Sequence, residues 1–411
     1  MTFPALELRP ILASLGKHRI PAILIVLEIA LACAVLCNAV FMINQRVADI
    51  HLPNAMDEQG ISIVQVSGTD PKLAVNDIPR DMTLLRSIPG VSAVAAMNTL
   101  PLSSNDWSTS LSTTPDAQIS AQSSLGVSEY LMTRGGEQAL GLRLLRGRWF
   151  SDGEYASSEL GDSFMPSAHV IILTDSLAQR MWPGEPALGK RAYVDKLSYT
   201  VVGVVADVLR PQRHMDGNAG FYYCAFFPLS VGKGLGYYVV RSAPQDRGHI
   251  VRDAVQGLSK LAPNAVVKGQ TFSEVRAKYF ADTASMAWML VLVCVVMLAV
   301  TAFGIVGLTS FWVGQRRRQI GIRRAVGATR GQIMQYFQTE NFLLTTAGVV
   351  LGMALAYGIN LYLMQHYEMS RMAWYYLPGS ALALWLLGQL AVLGPALRAA
   401  AVPPVVATRS V

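Results

Sequence analysis

Four stretches of this sequence run for more than twenty residues with almost no formal charge, a pattern that soluble folds do not need. They are Ile20 to Ile43, broken only by Glu28, then Thr283 to Gln315, Asn341 to Tyr367, and Met372 to Leu397. A helix crosses the roughly 30 Å hydrocarbon core of a bilayer with about 20 apolar residues. The pattern therefore predicts a membrane α-helical protein with four transmembrane helices, and it explains why 52% of the 411 residues are hydrophobic and only 15% charged. Between the first and second runs lie about 240 residues, ample for a folded core. The expected architecture is a large α+β extracytoplasmic domain inserted between helices one and two.

Charge sets the expected orientation. Of 34 basic and 27 acidic side chains, 22 and 23 lie between Asn44 and Thr283, which leaves 12 and 4 for the rest of the chain. Most of these 12 flank the spans: Arg9, Lys17 and Arg19 before helix one, six arginines from Arg316 to Arg330 between helices two and three, and Arg398 after helix four. By the positive-inside rule these segments face the cytoplasm, as do both termini, and the large domain lies outside. The basic residues carry no aromatic interleaving, so nucleic acid is excluded as a partner. The first apolar run exceeds the 7 to 15 residues of a signal-peptide core and reads as an uncleaved signal anchor. The second run, 33 residues or close to 50 Å at about 1.5 Å each, exceeds the bilayer core. It predicts that helices one and two continue as a stalk.

These readings divide the chain into a cytoplasmic segment (1–19), helix one (20–43), the extracytoplasmic domain (44–283), helix two with its stalk (284–314), a cytoplasmic loop (315–340), helix three (341–366), a short outer loop (367–373), helix four (374–397) and a cytoplasmic tail (398–411). Glu28 is the one formal charge inside a span and thus a candidate functional residue. Its expected partner is Gln389 on helix four, with snorkelling toward the cytoplasmic face as the alternative.

Within the large domain, Ile61–Val66 alternates like a half-buried strand, Met82–Ser87 reads as a helix ended by Pro89-Gly90, and Val91–Ala95 as a strand. His169–Thr174, Asp175–Met181 and Val201–Val205 form a strand, helix, strand succession, with Asp175 as the expected cap. Asn98–Gln122, rich in Ser, Thr and Asp, reads as a mobile loop or lobe edge, and the domain as two lobes. Gly184–Arg191 (GEPALGKR) approaches a phosphate-binding loop, but Arg191 stands where the Mg-binding hydroxyl belongs and strand follows where a helix is required, so it reads as a turn. Six scattered histidines offer no metal-ligand spacing, and neither H-E-x-x-H nor G-x-S-x-G occurs. Cys224 is the one cysteine of this domain and reads as a buried thiol. No catalytic residue and no metal site is expected.

The most informative stretch is Gln315–Glu340, QRRRQIGIRRAVGATRGQIMQYFQTE. Arg316, Arg323 and Arg330 are seven apart and would share one side of a continuous helix, with Ile333 and Phe337 as an apolar patch. Gly321, Gly327 and Gly331 argue instead for a bend or two short helices. Positive charge alone would serve as a topology signal and bind lipid phosphate. The Gly, Ala and Ile between the arginines suit a surface that docks on another protein.

This stretch resembles the cytoplasmic loop of MacB/FtsX-type ABC transporter permeases. VSEYL at Val127–Leu131, GLRLLRGRWFSDGE at Gly141–Glu154, VIILTDSLAQRMWPGEPALGKR with YTVVGVVADV, and the closing GPALRAAAVPPVVATR resemble the family's outer core domain and its last helix end. TRGGEQALGLRLL departs from the usual Tyr-Phe-containing turn. The resemblance implies that Arg316, Arg317, Arg318, Ile320, Gly321, Arg323, Arg324, Gly327, Arg330, Ile333 and Phe337 form a coupling element seated on a separate ATPase subunit, since this chain carries no ATPase domain. It implies a non-catalytic permease subunit of the bacterial inner membrane that binds no cofactor itself, with ATP and Mg held by the ATPase. A second permease copy or paralogue is expected, packed through helices one and two with the small residues Ala30, Ala32, Cys33 and Ala34 at the seam. In a Gram-negative host a periplasmic adaptor and an outer-membrane duct are expected as well. The implied function is efflux or extrusion of an antibiotic, peptide or lipid-linked substrate; the alternative is an FtsX-like relay that regulates a periplasmic cell-wall hydrolase.

Overall fold

The computed structural model describes residues 19–401 apart from 71, 116–124, 162–163, 213–219, 233–234 and 368–371. Arg9, Lys17 and Arg371, residues 116–122 of the expected mobile loop, most of the short loop 367–373, and the tail from residue 402 lie outside the described residues.

In chain order the elements begin with α1 (Arg19–Ile50), β1 (Ile61–Ser67), α2 (Ala74–Ser87), β2 (Val91–Met97), β3 (Ser108–Leu111), β4 (Leu125–Met132), α3 (Gly136–Leu140), β5 (Leu144–Gly147) and α4 (Asp152–Ala156). There follow β6 (Val170–Thr174), α5 (Asp175–Met181), β7 (Arg191–Val194), β8 (Leu197–Val205), β9 (Cys224–Pro228), β10 (Tyr237–Ser242), α6 (Arg247–Leu261), β11 (Val266–Thr271) and α7 (Phe272–Tyr279). The chain then runs through α8 (Ala281–Gln315), α9 (Arg317–Ala325), α10 (Arg330–Tyr367) and α11 (Tyr376–Ala400). It divides into two compact units, one of residues 52–281 and one formed by the flanking segments.

The inserted unit is built on one mixed sheet in the order β11-β1-β10-β2-β4-β9-β6-β8-β5, with β3 added to β4 and β7 to β8. Its two lobes have separate cores. In the first, α2 and α6 place Ile78, Met82, Leu85, Ile250 and Leu258 against Val64, Val94 and Val240 of the strands. In the second, Leu177 of α5 packs with Val127, Leu131, Ile171, Leu173, Val201, Val204 and Phe227. The lobes meet at β2 and β4, whose ladder is the single pair Met97–Met132. The parallel pairing of β6 with β8 makes the expected strand, helix, strand unit.

Four sequence expectations need correction here. The first four residues of β1 are all buried rather than alternating, because both faces of the strand are covered there: Ile61 and Ile63 on one and Ser62 and Val64 on the other are all removed from solvent. Helix α2 starts eight residues earlier than expected and runs through Pro79. Asp175 is not a cap: Thr174 holds that position, and the Asp175 carboxylate accepts from Arg146 and Gln179 instead. Part of the expected mobile loop is ordered, since Asn98, Thr99, Leu100 and Leu102 are buried and β3 pairs along β4. Gly184–Arg191 is a turn into β7, with positive φ at Gly184 and Gly189. Cys224 is fully buried, donates to the Val208 carbonyl at 3.2 Å, and has its thiol pushed well up by burial.

In the second unit α1, α8, α10 and α11 are long and apolar enough to span a membrane. Helices α1 and α8 hold 32 and 35 residues, about 50 Å each and longer than a bilayer core. Glycines set the approach of α1 to α10. A Cβ on Gly348 would lie 2.8 Å from Ile29, and one on Gly352 would lie 2.5 Å from the Cys33 Cβ and 2.6 Å from the Ala30 carbonyl oxygen. Ala30 and Cys33 are thus spent on packing within the chain, and Ala32 and Ala34 are buried in the same core, which corrects the expectation that these small residues form a seam with a second copy. Side-chain amides add polar contacts where hydrocarbon offers none. Asn38 donates to the Ala356 carbonyl at 3.2 Å and Asn341 to the Gly388 carbonyl at 2.9 Å.

Candidate coupling connector

Between α8 and α10 the arginine-rich stretch folds as one short helix and a capped turn. Helix α8 stops at Gln315 because Arg316 leaves helical geometry, with φ −98° and ψ +6°. Helix α9 then runs nine residues and ends before Gly327, whose φ of +104° only glycine adopts without strain. Thr329 and Gln332 form a capping box: the Thr329 hydroxyl accepts from the Gln332 amide at 3.3 Å, and the Gln332 side-chain oxygen accepts from the Thr329 amide at 2.9 Å. This exchange starts α10 eleven residues before the apolar run that the sequence marks as helix three.

The connector has an inner and an outer face. Ile320, Gly321, Ile333 and Phe337 are buried, the three apolar side chains packing with Trp312 and Val313. At the base of this face the Arg316 guanidinium donates from Nη1 to both carboxylate oxygens of Glu340 at 3.1 Å and lies 5.6 Å from the centre of the Trp312 ring. Arg316 is 7% and Glu340 2% exposed, so the ion pair is removed from solvent. Such a pair imposes register more than it adds stability: it fixes where the start of α9 sits against α10.

The outer face carries Arg317, Arg318, Arg323 and Arg330, all exposed, with Arg324 half-buried. Arg323 lies over the Tyr336 ring at 5.0 Å. Ile322 is 50% and Val326 84% exposed, two apolar side chains that sequence reading missed. The signal was available: Arg318, Ile322 and Val326 follow at four-residue steps and therefore share a helix face. The expected coupling residues thus separate into an inward set (Arg316, Ile320, Gly321, Ile333, Phe337) and an outward set, with Gly327 exposed at the turn. A basic surface with two protruding aliphatic groups on a rigid, ion-paired base suits docking on a protein groove lined by carboxylates.

Glu28 and Gln389 are not brought together. The Glu28 carboxylate lies over Gly304 of α8, close enough that a Cβ there would sit 2.2 Å from Oε1. Gln389 Nε2 is buried with no hydrogen-bond partner among the described residues. Glycine at 304 leaves room for the carboxylate against the neighbouring helix. No group of three metal-ligating side chains occurs among the described residues.

Two family models match the chain: a MacB-like periplasmic core domain over residues 24–258 and an FtsX-like permease C-terminal region over residues 291–404. The macrolide export ATP-binding/permease protein MacB of Chromobacterium violaceum is 27% identical over 229 residues, 54% of this chain and 33% of that one. The probable syringafactin export ATP-binding/permease protein SyfD of Pseudomonas syringae pv. tomato is 29% identical, over 47% of this chain and 29% of its own. An uncharacterized ABC transporter permease of Bacillus subtilis, YknZ, is 23% identical, over 65% and 66% of the two chains. The chain therefore spans a third or less of the first two relatives. The crystal structure of the periplasmic region of MacB from Actinobacillus actinomycetemcomitans aligns with 55% of this chain and 94% of that one, at 15% identity and a TM-score of 0.37. Two of these relatives are named as export proteins.

Proposed function

Because the chain belongs to the family of FtsX-like permeases with a MacB-like periplasmic core domain, we propose that it is the permease subunit of an ABC exporter that transmits ATPase movement to its inserted domain. It is a multi-pass inner-membrane protein. In this reading both termini and the connector face the cytoplasm, an orientation that the placement of the arginines supports, and the inserted domain lies in the periplasm.

The observation that carries the reading is the two-faced connector. An ABC ATPase docks on Arg317, Arg318, Ile322, Arg323 and Val326, and its closure on ATP and Mg pushes the connector as one body, because the Arg316–Glu340 pair and the Ile320, Ile333 and Phe337 contacts tie α9 to α8 and α10. Helices α1 and α8 are continuous in sequence with the inserted domain and pass the movement on. The chain itself contributes no catalysis and binds no cofactor. Two permease copies, or one and a paralogue, engage an ATPase pair. A periplasmic adaptor, an outer-membrane duct and lipid contacts at the outer arginines complete the assembly. The substrate is an antibiotic, a peptide or a lipid-linked molecule taken from the periplasm or the outer leaflet.

Co-purification with ABC ATPases encoded beside the gene tests this. Wild type is expected to retain an ATPase through affinity capture, and Ile322→Asp with Val326→Asp to lose at least nine-tenths of it at equal membrane insertion. Failure of wild type to capture any ATPase, or equal capture by the variant, refutes the docking role of the connector.

A further inference from the structure

Val127, Glu129 and Leu131 alternate along β4 and so lie on one face of the sheet. Val127 and Leu131 are fully buried in the second core, and Glu129 between them is 5% exposed. An apolar side chain of that size at such a position is as a rule neutral or stabilising relative to the charge. A carboxylate on the core face of a central strand therefore calls for a use.

The surroundings supply one. Glu129 lines a cavity of about 630 Å³ with Trp107, Phe164, Met165, Leu197 and Lys196, a volume within the roughly 300–1,000 Å³ of small-molecule sites. The Trp107 and Phe164 rings meet edge to face with centroids 6.0 Å apart. Phe164 is 64% exposed and has a φ of +60°, a conformation rare for a bulky residue. Burial pushes the Glu129 carboxyl up to about 7; a hydrogen bond from Thr109 opposes this and the nearby Asp106 reinforces it. An apolar cavity with one desolvated carboxylate and two aromatic rings matches a particular chemistry. A cation gains from both the counter-ion and the ring faces, whereas an anion would face Glu129 and Asp195, with Lys196 as the single basic side chain lining the cavity.

We propose that this cavity binds small hydrophobic ammonium ions, the charged nitrogen against the Glu129 carboxylate and the apolar body between Trp107, Phe164, Met165 and Leu197. The site needs neither ATP nor a partner, so a failed binding assay and a failed ATPase capture overturn different statements. Because the cation prefers the ionised carboxylate, affinity rises as pH passes upward through about 7. Asp106 before β3, Asp195 and Lys196 in the β7–β8 turn, and Tyr199 on β8 are the other titratable groups around it, and a Glu129→Gln variant isolates the contribution of the one carboxyl.

The test uses the full chain in zwitterionic nanodiscs and isothermal titration calorimetry with benzyltriethylammonium, a small aromatic ammonium ion whose charge does not titrate, with empty nanodiscs subtracted. Saturable binding is expected, tightening severalfold from pH 6 to pH 8. Glu129→Gln is expected to raise Kd at least tenfold and to flatten the pH profile, and Trp107→Ala to raise Kd severalfold. Absence of saturable binding overturns the proposal, as does a Glu129→Gln variant with unchanged Kd and pH profile. Should Glu129→Gln lose its cooperative thermal transition, Phe164→Ala at the exposed rim decides: weaker binding by threefold or more supports the site, and unchanged binding overturns it.

Discussion

Removing the Glu340 carboxylate is the sharpest test of how the connector is held. Glu340→Ala leaves the Arg316 guanidinium, 7% exposed, without the carboxylate that its Nη1 meets at 3.1 Å. Two unit charges about 4 Å apart attract by about 4 kcal/mol at an effective dielectric of about 20, and breaking one side of a buried pair costs about 3–5 kcal/mol because the other charge stays behind. The two figures agree, so a loss of about 4 kcal/mol is expected. Replacing both partners, Arg316→Met with Glu340→Leu, removes the stranded charge and is expected to recover most of it. The assay is unfolding of the full chain by SDS in mixed micelles, followed by tryptophan fluorescence, since Trp312 lies beside the pair. With the single variants Arg316→Met and Glu340→Leu added, wild type and the double variant form a double-mutant cycle. A Glu340→Ala protein as stable as wild type, or a double variant no better than the single one, would show that water or lipid reaches the pair and that it does not set the register of α9.

Helix packing gives a second contrast. Gly352→Val places atoms against the backbone carbonyl of Ala30 and is expected to abolish the folded membrane unit, whereas Gly358→Ala, with open space around it, is neutral; size-exclusion profiles separate the two. The three atoms nearest a Cβ at Gly304 all belong to the end of the flexible Glu28 side chain, so for Gly304→Ala a loss well below that at Gly352 is expected in the same measurement. In the inserted domain, the folded Glu129 carboxyl titrates near 7 against an ordinary value of 4.5. Its protonated form favours the folded state, so the associated stability is complete below pH 4.5 and is lost as pH rises through 7. Glu129→Gln should therefore stabilise the domain at pH 8 by roughly 3 kcal/mol and make no difference at pH 4; equal unfolding profiles at both pH values would show that the carboxyl is solvated. Thr329→Ala should cost about 1 kcal/mol in the SDS assay through loss of the cap, and a larger loss would mean that Thr329 has a second role.

Much of the membrane unit was legible in one dimension. Hydropathy placed the four spans, and the break and turn at Gly327 followed from glycine chemistry. The inserted domain was legible where strands alternate or run apolar, as in β6 and β8, and illegible at α2, where Pro79 and three charges between Asp77 and Asp81 hid a helix that only packing on β1, β2 and β10 sustains. The arginine-rich stretch shows its charge in one dimension but not its two faces, and Ile322 and Val326, lying among arginines, stand out only once the fold leaves them exposed.

By itself the sequence determined which segments are long and apolar enough to span a membrane, and where positive charge collects. These depend on sums of transfer free energy and charge along the chain, to which each residue contributes independently of its distant neighbours. The tertiary structure decided which arginine of six turns inward, that Glu28 lies over Gly304 and not beside Gln389, that Ala30 and Cys33 face Gly352, and that Glu129 is buried beside a cavity. Each of these depends on a partner far away in sequence. Glu340, for instance, is 24 residues from Arg316, and it meets that arginine only because the helix break at 316 and the cap at Thr329 set the rotation of two helices against each other.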